Sequence, residues 1–95
     1  MDKKEAKSIL SEYLSGYRSR SYAELAALAL AGQGQTREVV LPSGSRYQLE
    51  VQFFWDDGPD GDVRVLGSID DGGIRAFIPI TDDFILTPDG RFVGE

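Results

Sequence analysis

Between Tyr47 and Phe53 the apolar residues Tyr47, Leu49, Val51 and Phe53 alternate with Gln48, Glu50 and Gln52. A period of two fits an extended strand with one face buried, and it rules out a helix over the same stretch. Turn-forming clusters recur around it: "PSGS" at 42–45, "DDGPDGD" at 56–62, "DDGG" at 70–73, "TDD" at 81–83 and "PDG" at 88–90. The segments between them read as strands at about 37–41, 46–54, 63–69, 74–79, 84–87 and 91–93. Short connections of this kind join antiparallel neighbours, so the second part of the chain reads as a meander.

The period is different before Thr36. Ala6, Ile9, Leu10, Tyr13, Leu14 and Tyr17 follow the spacing of an amphipathic helix, with Asp2 and Glu5 as a capping pair. Ser21 and Glu24 form a second capping box, opening a helix that carries Leu25, Leu28 and Ala29 and stops at Gly32. The helices are expected at about 3–17 and 22–31, with Gly16 as the C-cap of the first. The fold class that follows is α+β. Two N-terminal helices pack on one face of a five- or six-stranded antiparallel meander sheet, in a single domain spanning residues 1–95.

The "DDGG" cluster sets an expected register. With Asp71 and Gly72 as a two-residue type I′ loop, Ile69 faces Ile74, Gly67 faces Ala76, Val65 faces Ile78 and Val63 faces Ile80. That face is apolar or small throughout. Gly67 opposite Ala76 leaves a shallow spot to which the Ala-rich second helix can approach closely. Pro79 lacks an N–H and marks an edge, an end or a bulge.

Composition narrows the chemistry. The chain has no His and no Cys, which removes the usual general base, the usual zinc ligand and all thiol chemistry. Net charge is −6, split between +2 over residues 1–20 and −8 over residues 21–95. An acidic sheet opposes contact with a phosphate backbone, and an Ala/Leu second helix has no polar groups to present to bases, so no nucleic-acid partner is expected. "LAALALA" at 25–31 is too short to span a bilayer and follows charged sequence, so neither a membrane segment nor a leader is read there. Cytoplasmic localisation is the expectation. Gly32-Gln33-Gly34 has no strand before it and no helix after it, which fails a phosphate-binding loop. No Gly-x-Ser-x-Gly elbow occurs, and the Lys residues lie only within 3–7, on the polar side of a helix. No enzymatic activity and no cofactor are expected.

Two candidate sites remain. The first is acidic. If the 56–62 loop and the 81–83 turn lie at one end of the sheet, Asp56, Asp57, Asp60, Asp62, Asp82 and Asp83 gather there. They could meet a basic partner, or Asp56, Asp60, Asp62 and Asp82 could hold a divalent cation or serve a carboxylate-based hydrolase. The EF-hand spacing fails, because Gly58 and Gly67 fall where ligands are required. Asp and Gly are also good turn formers in their own right, which accounts for the same residues without a ligand. The second site is the outer sheet face. By alternation Phe54, Leu66 and Phe77 lie on the face away from the helices, with Trp55 at the loop edge and Arg64 and Arg75 beside them. Exposed aromatics next to arginine make a protein-contact surface, unless residues 84–93 fold across and cover them.

"VQFFWDD" (51–57), "GSIDDGG" (67–73), "RAFIPITD" (75–82) and "PDGRFVGE" (88–95) together resemble a family of small uncharacterised bacterial domains over roughly residues 37–95. The resemblance implies a bacterial, non-secreted domain and assigns no activity, ligand or catalytic residue. The functional expectation is a small acidic module that binds another protein, as a monomer or as a homodimer.

Overall fold

The computed structural model describes residues 2–72 and 79–95. Helix α1 spans Lys3–Arg18 and α2 spans Tyr22–Ala31. Each is capped as its sequence indicates. Asp2 accepts the Glu5 N–H at 3.0 Å, and Ser21 accepts the Glu24 N–H at 3.2 Å. Gly16 does not end α1. Tyr17 is buried, and its place in the apolar stripe carries the helix one turn past the glycine to a cap at Ser19. Gly32 ends α2 in the left-handed conformation, φ +67°, with its N–H bonded to the Leu28 and Ala29 carbonyls.

Four strands follow: β1 (Gln35–Val40), β2 (Arg46–Trp55), β3 (Val63–Asp70) and β4 (Ile80–Leu86). They form one antiparallel sheet in chain order, β1-β2-β3-β4. Among the described residues the sheet is therefore four-stranded, not five- or six-stranded. The expected strand at 91–93 is reduced to a single bridge between Phe92 and Leu86. The expected strand at 74–79 lies almost wholly outside the described residues; β3 has β2 on one side and β4 on the other.

The register around "DDGG" changes accordingly. Ile69 faces Ile80 rather than Ile74, Gly67 faces Asp82 rather than Ala76, Val65 faces Phe84 rather than Ile78, and Val63 faces Leu86 rather than Ile80. Gly72 takes φ +72°, whereas Asp60 is the one described non-glycine residue with positive φ, so Asp71 does not supply the first half of a type I′ turn. Asp70 instead accepts the Gly72 N–H at 2.7 Å, turning the chain out of β3 by side-chain bonding. Thr81, Asp82 and Asp83, read as a turn, lie within β4.

The core lies between the helices and one sheet face. α1 rests on β3 and β4, and α2 on β2 and β3. Leu10, Leu14 and Leu25 from the helices meet Leu49, Val51, Phe53, Val63, Val65, Ile69, Phe84 and Leu86 from the strands, all buried. The shallow spot at Gly67 is filled by α1, not by the Ala-rich α2: a Cβ there would lie 2.9 Å from the Leu10 Cδ1. Burial of this apolar set is the main favourable term in folding. Among the described residues no helix is long and apolar enough to cross a membrane.

Candidate functional site

Neither helix rests on the opposite sheet face, and its residues follow from the register. One row runs Phe54–Arg64–Ile85 across β2, β3 and β4, and the next runs Gln52–Leu66–Asp83. The chain after β4 extends the first row. Thr87 donates its N–H to the Arg91 carbonyl at 2.8 Å and Val93 donates to the Ile85 carbonyl at 2.9 Å, which sets Val93 beside Ile85. Phe54 is 42% exposed and Val93 47%; Leu66 and Ile85 are half-buried.

The residues at 84–93 do not fold across this face. β4 joins in the plane of the sheet, turning Phe84 and Leu86 inward. Phe92 meets Phe84 edge to face, with ring centroids 5.7 Å apart, on the helix side. Arg18 from α1 lies over both rings, 4.9 Å from Phe84 and 5.0 Å from Phe92, and its guanidinium bonds Glu95 at 2.6 Å. The C-terminal residues are thus held to α1, leaving Phe54 open.

Arg64 is fixed at the centre of the row. Its Nε and Nη2 donate to Asp56 Oδ1 at 3.0 and 2.8 Å, and its Nη1 donates to Asp83. The bonds donated to Asp56, with the Asp83 carboxylate beside them, raise the guanidinium pKa above its ordinary value. A guanidinium held on both sides by carboxylates is oriented before any partner arrives, so it loses little conformational freedom on binding. Glu38, Glu50, Asp56, Asp70 and Asp83 lie on this face or its rim, with Arg46 and Arg64, and Arg91 paired to Asp89 lies at the C-terminal margin. Arg46 is paired with Glu38 at 3.3 Å. The surface is an apolar strip in an acidic surround.

Trp55 is not part of the strip. It follows Phe54 in β2, so its side chain falls on the other face, where it is half-buried against the core. Phe77 and Arg75 lie outside the described residues. Asp83, Ile85 and Val93 join the surface instead. The alternation that places Phe84 and Leu86 inward would have placed Ile85 outward, had β4 been recognised as starting at Ile80.

The acidic loop is built as a turn. The Asp56 N–H donates to the Asp62 carbonyl at 2.8 Å, closing it, and the Gly61 N–H bonds the Gly58 carbonyl at 3.1 Å. Asp60 sits at φ +67°, a conformation that Asp tolerates better than most residues. Tyr22 of α2 donates its hydroxyl to the Gly61 carbonyl at 2.7 Å, tying the loop to the helix. Asp82 stands apart, opposite Gly67 and four residues along β4 from Leu86, which pairs at the loop end. At the rise of a strand that is about 13 Å. Among the described residues no three acidic side chains converge on a position for a metal ion.

The chain matches no known family model, and no similar curated protein or solved structure is found.

Proposed function

We propose that this protein is a non-catalytic binding module of bacterial, cytoplasmic type, and that it contacts another protein through the outer face of its sheet. The partner surface that fits has an apolar centre fringed by Lys or Arg. One observation carries the reading: Phe54 stands open beside Arg64, which Asp56 and Asp83 already hold in place. An exposed aromatic next to a pre-oriented arginine is the composition of an interface hot spot, where truncation of one side chain costs ~2 kcal/mol or more of binding. The acidic surround adds attraction for a basic rim and speeds encounter. The absence of His and Cys from the sequence supports the non-catalytic part.

The test compares wild type with Phe54→Ser, Leu66→Ser and an α1 surface control, Lys4→Gln. Each is immobilised and challenged with native cell extract, and retained proteins are identified. A supporting result is one identified protein that binds wild type and the control, is lost with both outer-face variants, and dissociates as salt rises. Retention by Phe54→Ser at wild-type strength would sink the proposal. Sedimentation of the purified protein examines a second copy as the occupant: self-association abolished by Phe54→Ser would make the face a homodimer contact.

A further inference from the structure

A second surface lies on the helix side of the sheet. β1 is an edge strand, and the helices rest on β2, β3 and β4, so the helix-side residues of β1 border a groove. The groove has a volume of about 530 Å³, with Gln35, Arg37 and Val39 along β1, Tyr13 and Tyr17 along α1, and Arg20 just past the end of α1. Its charge is opposite to that of the rest of the sheet. Arg20 lies over the Tyr17 ring at 4.8 Å, and Arg37 is 6.0 Å from the Tyr13 ring. Among the described residues neither arginine pairs with a carboxylate; Arg18, Arg46, Arg64 and Arg91 each do. The two tyrosine rings meet edge to face at 5.6 Å, and the Tyr17 hydroxyl donates to Gln35. They form a fixed wall between the two cations. Glu12 lies at the same groove and is exposed.

The backbone beside this groove is also available. The Leu41 N–H bonds the Ser45 carbonyl at 2.9 Å, and the β1–β2 register continues from that pair to Val39–Tyr47, Arg37–Leu49 and Gln35–Val51. Hydrogen-bonded pairs alternate in an antiparallel ladder, so Gln35, Arg37 and Val39 turn their backbone groups to β2. Thr36, Glu38 and Val40 therefore turn theirs to the outer edge, where no strand among the described residues pairs with them. The edge of β4, by contrast, is partly occupied at one end, where Val93 bonds Ile85.

We infer that the open edge of β1 binds an extended acidic peptide segment by strand addition, with acidic side chains entering the groove between Arg20 and Arg37. A strand added at this edge pairs with the backbone of Thr36, Glu38 and Val40. Alternate side chains of that strand then point to the helix side, beside Arg37. Acidic residues at alternate positions reach both guanidiniums, which need not first break an ion pair to receive them. This surface is separate from the outer face and stands whether or not that reading holds.

The probe is a capped peptide of three Val-Glu repeats, with three Val-Lys repeats as the control, titrated into isotope-labelled protein. The Val-Glu peptide should shift the amides of Thr36, Glu38 and Val40 and slow their exchange with solvent, while the Val-Lys peptide does neither. Arg20→Gln combined with Arg37→Gln should weaken binding about tenfold, the effect of two partly exposed ion pairs. Glu38→Pro removes an outward N–H without removing a bond to β2, and it should abolish the shifts while leaving the β2–β3 amides in place. Equal binding of the two peptides, binding untouched by the double arginine variant, shifts centred on Phe54, or no binding of the Val-Glu peptide would each overturn the inference.

Discussion

Gly67 offers the most searching test of how the helices sit on the sheet. Its conformation suits any L-residue, since φ is not positive, so the question is one of space alone. A methyl group added there lies 2.9 Å from Leu10 Cδ1, and 3.0 and 3.3 Å from the two Leu14 methyls. Those leucines are 1% and 2% exposed, so they cannot swing into solvent. Overpacking of this kind costs ~1–3 kcal/mol. Restricting the unfolded chain by replacing Gly with Ala offsets about 0.5–1 kcal/mol of it. Gly67→Ala should therefore destabilise by about 1 kcal/mol, with the overpacking term the larger. Leu10→Ala alone should cost ~2–5 kcal/mol through lost burial and a cavity. In that background the tightest contact is gone and the new methyl fills part of the hole. Gly67→Ala should then become neutral or stabilising, a coupling of about 1–2 kcal/mol between the two sites. Urea unfolding followed by the single tryptophan, Trp55, reads all four corners of the cycle. With a slope near ~1 kcal/mol/M for a small domain, the first substitution lowers the midpoint by about 1 M. Equal cost of Gly67→Ala in both backgrounds would show that α1 does not lie over Gly67, and the packing described above would be wrong.

Other consequences can be checked with the same protein. Ser21→Ala removes the acceptor of the Glu24 N–H and should cost about 1 kcal/mol by urea unfolding, whereas Ser21→Gly should cost only a few tenths. At high pH, burial foremost raises Tyr17 from 10.0 to about 12, and the hydrogen bond to Glu5 foremost raises Tyr47 from 10.0 to about 12. Both groups keep their protons more tightly folded than unfolded. Their contribution is complete below pH 10 and lost as pH rises toward 12, so denaturant midpoints should fall across that window. Tyr47→Phe should flatten the fall, and an unchanged alkaline profile in that variant would contradict the assignment. Finally, millimolar calcium or magnesium should leave the melting temperature where a chelator leaves it. A rise beyond replicate scatter would mean that Asp56, Asp60, Asp62 and Asp82 gather in a way the described strands do not allow.

The helices, β2 and β3 could be read from the sequence because local chemistry specifies them. Asp2 and Ser21 mark helix starts, and strict alternation marks the strands. Strand number and the register of β4 could not be read in the same way. Observed and expected partners of β3 differ by six residues: Ile69 meets Ile80 where Ile74 was expected. A slip by an even number preserves which side chains face inward, so apolar alternation is blind to it. Only the turn can decide, and Asp71-Gly72 looks like a hairpin loop without adopting the required conformation. Thr81, Asp82 and Asp83 misled for a related reason. The low strand propensity of the two aspartates suggests a turn, yet acids on an edge strand discourage pairing with other chains, and Asp83 there binds Arg64. The outer face was partly legible, since alternation placed Phe54, Leu66 and Arg64 on it. Trp55 stands next to the loop in sequence, but the parity that puts Phe54 outward puts its neighbour inward. The groove beside β1 was not legible at all. Arg37 is distant in sequence from Tyr13, Tyr17 and Arg20, and it meets them only because the sheet brings β1 beside α1.

The strands are laid side by side in the order they are made, but the helix that covers them is not. α1 comes first in the chain and rests on β3 and β4, which come last. During synthesis Leu10 and Leu14 therefore have no sheet to cover until Val65, Gly67 and Phe84 have emerged. Contacts between such distant segments are slow to form, because a long loop must close before burial rewards it. The hairpin of β1 and β2 can form early, but it meets α1 only at its margins, through Tyr17 with Gln35 and Phe53 and through Tyr47 with Glu5. Leu10 and Leu14 of the first helix stay uncovered until β3 and β4 have been made, and that interval, rather than the finished fold, is where these residues are most exposed to aggregation.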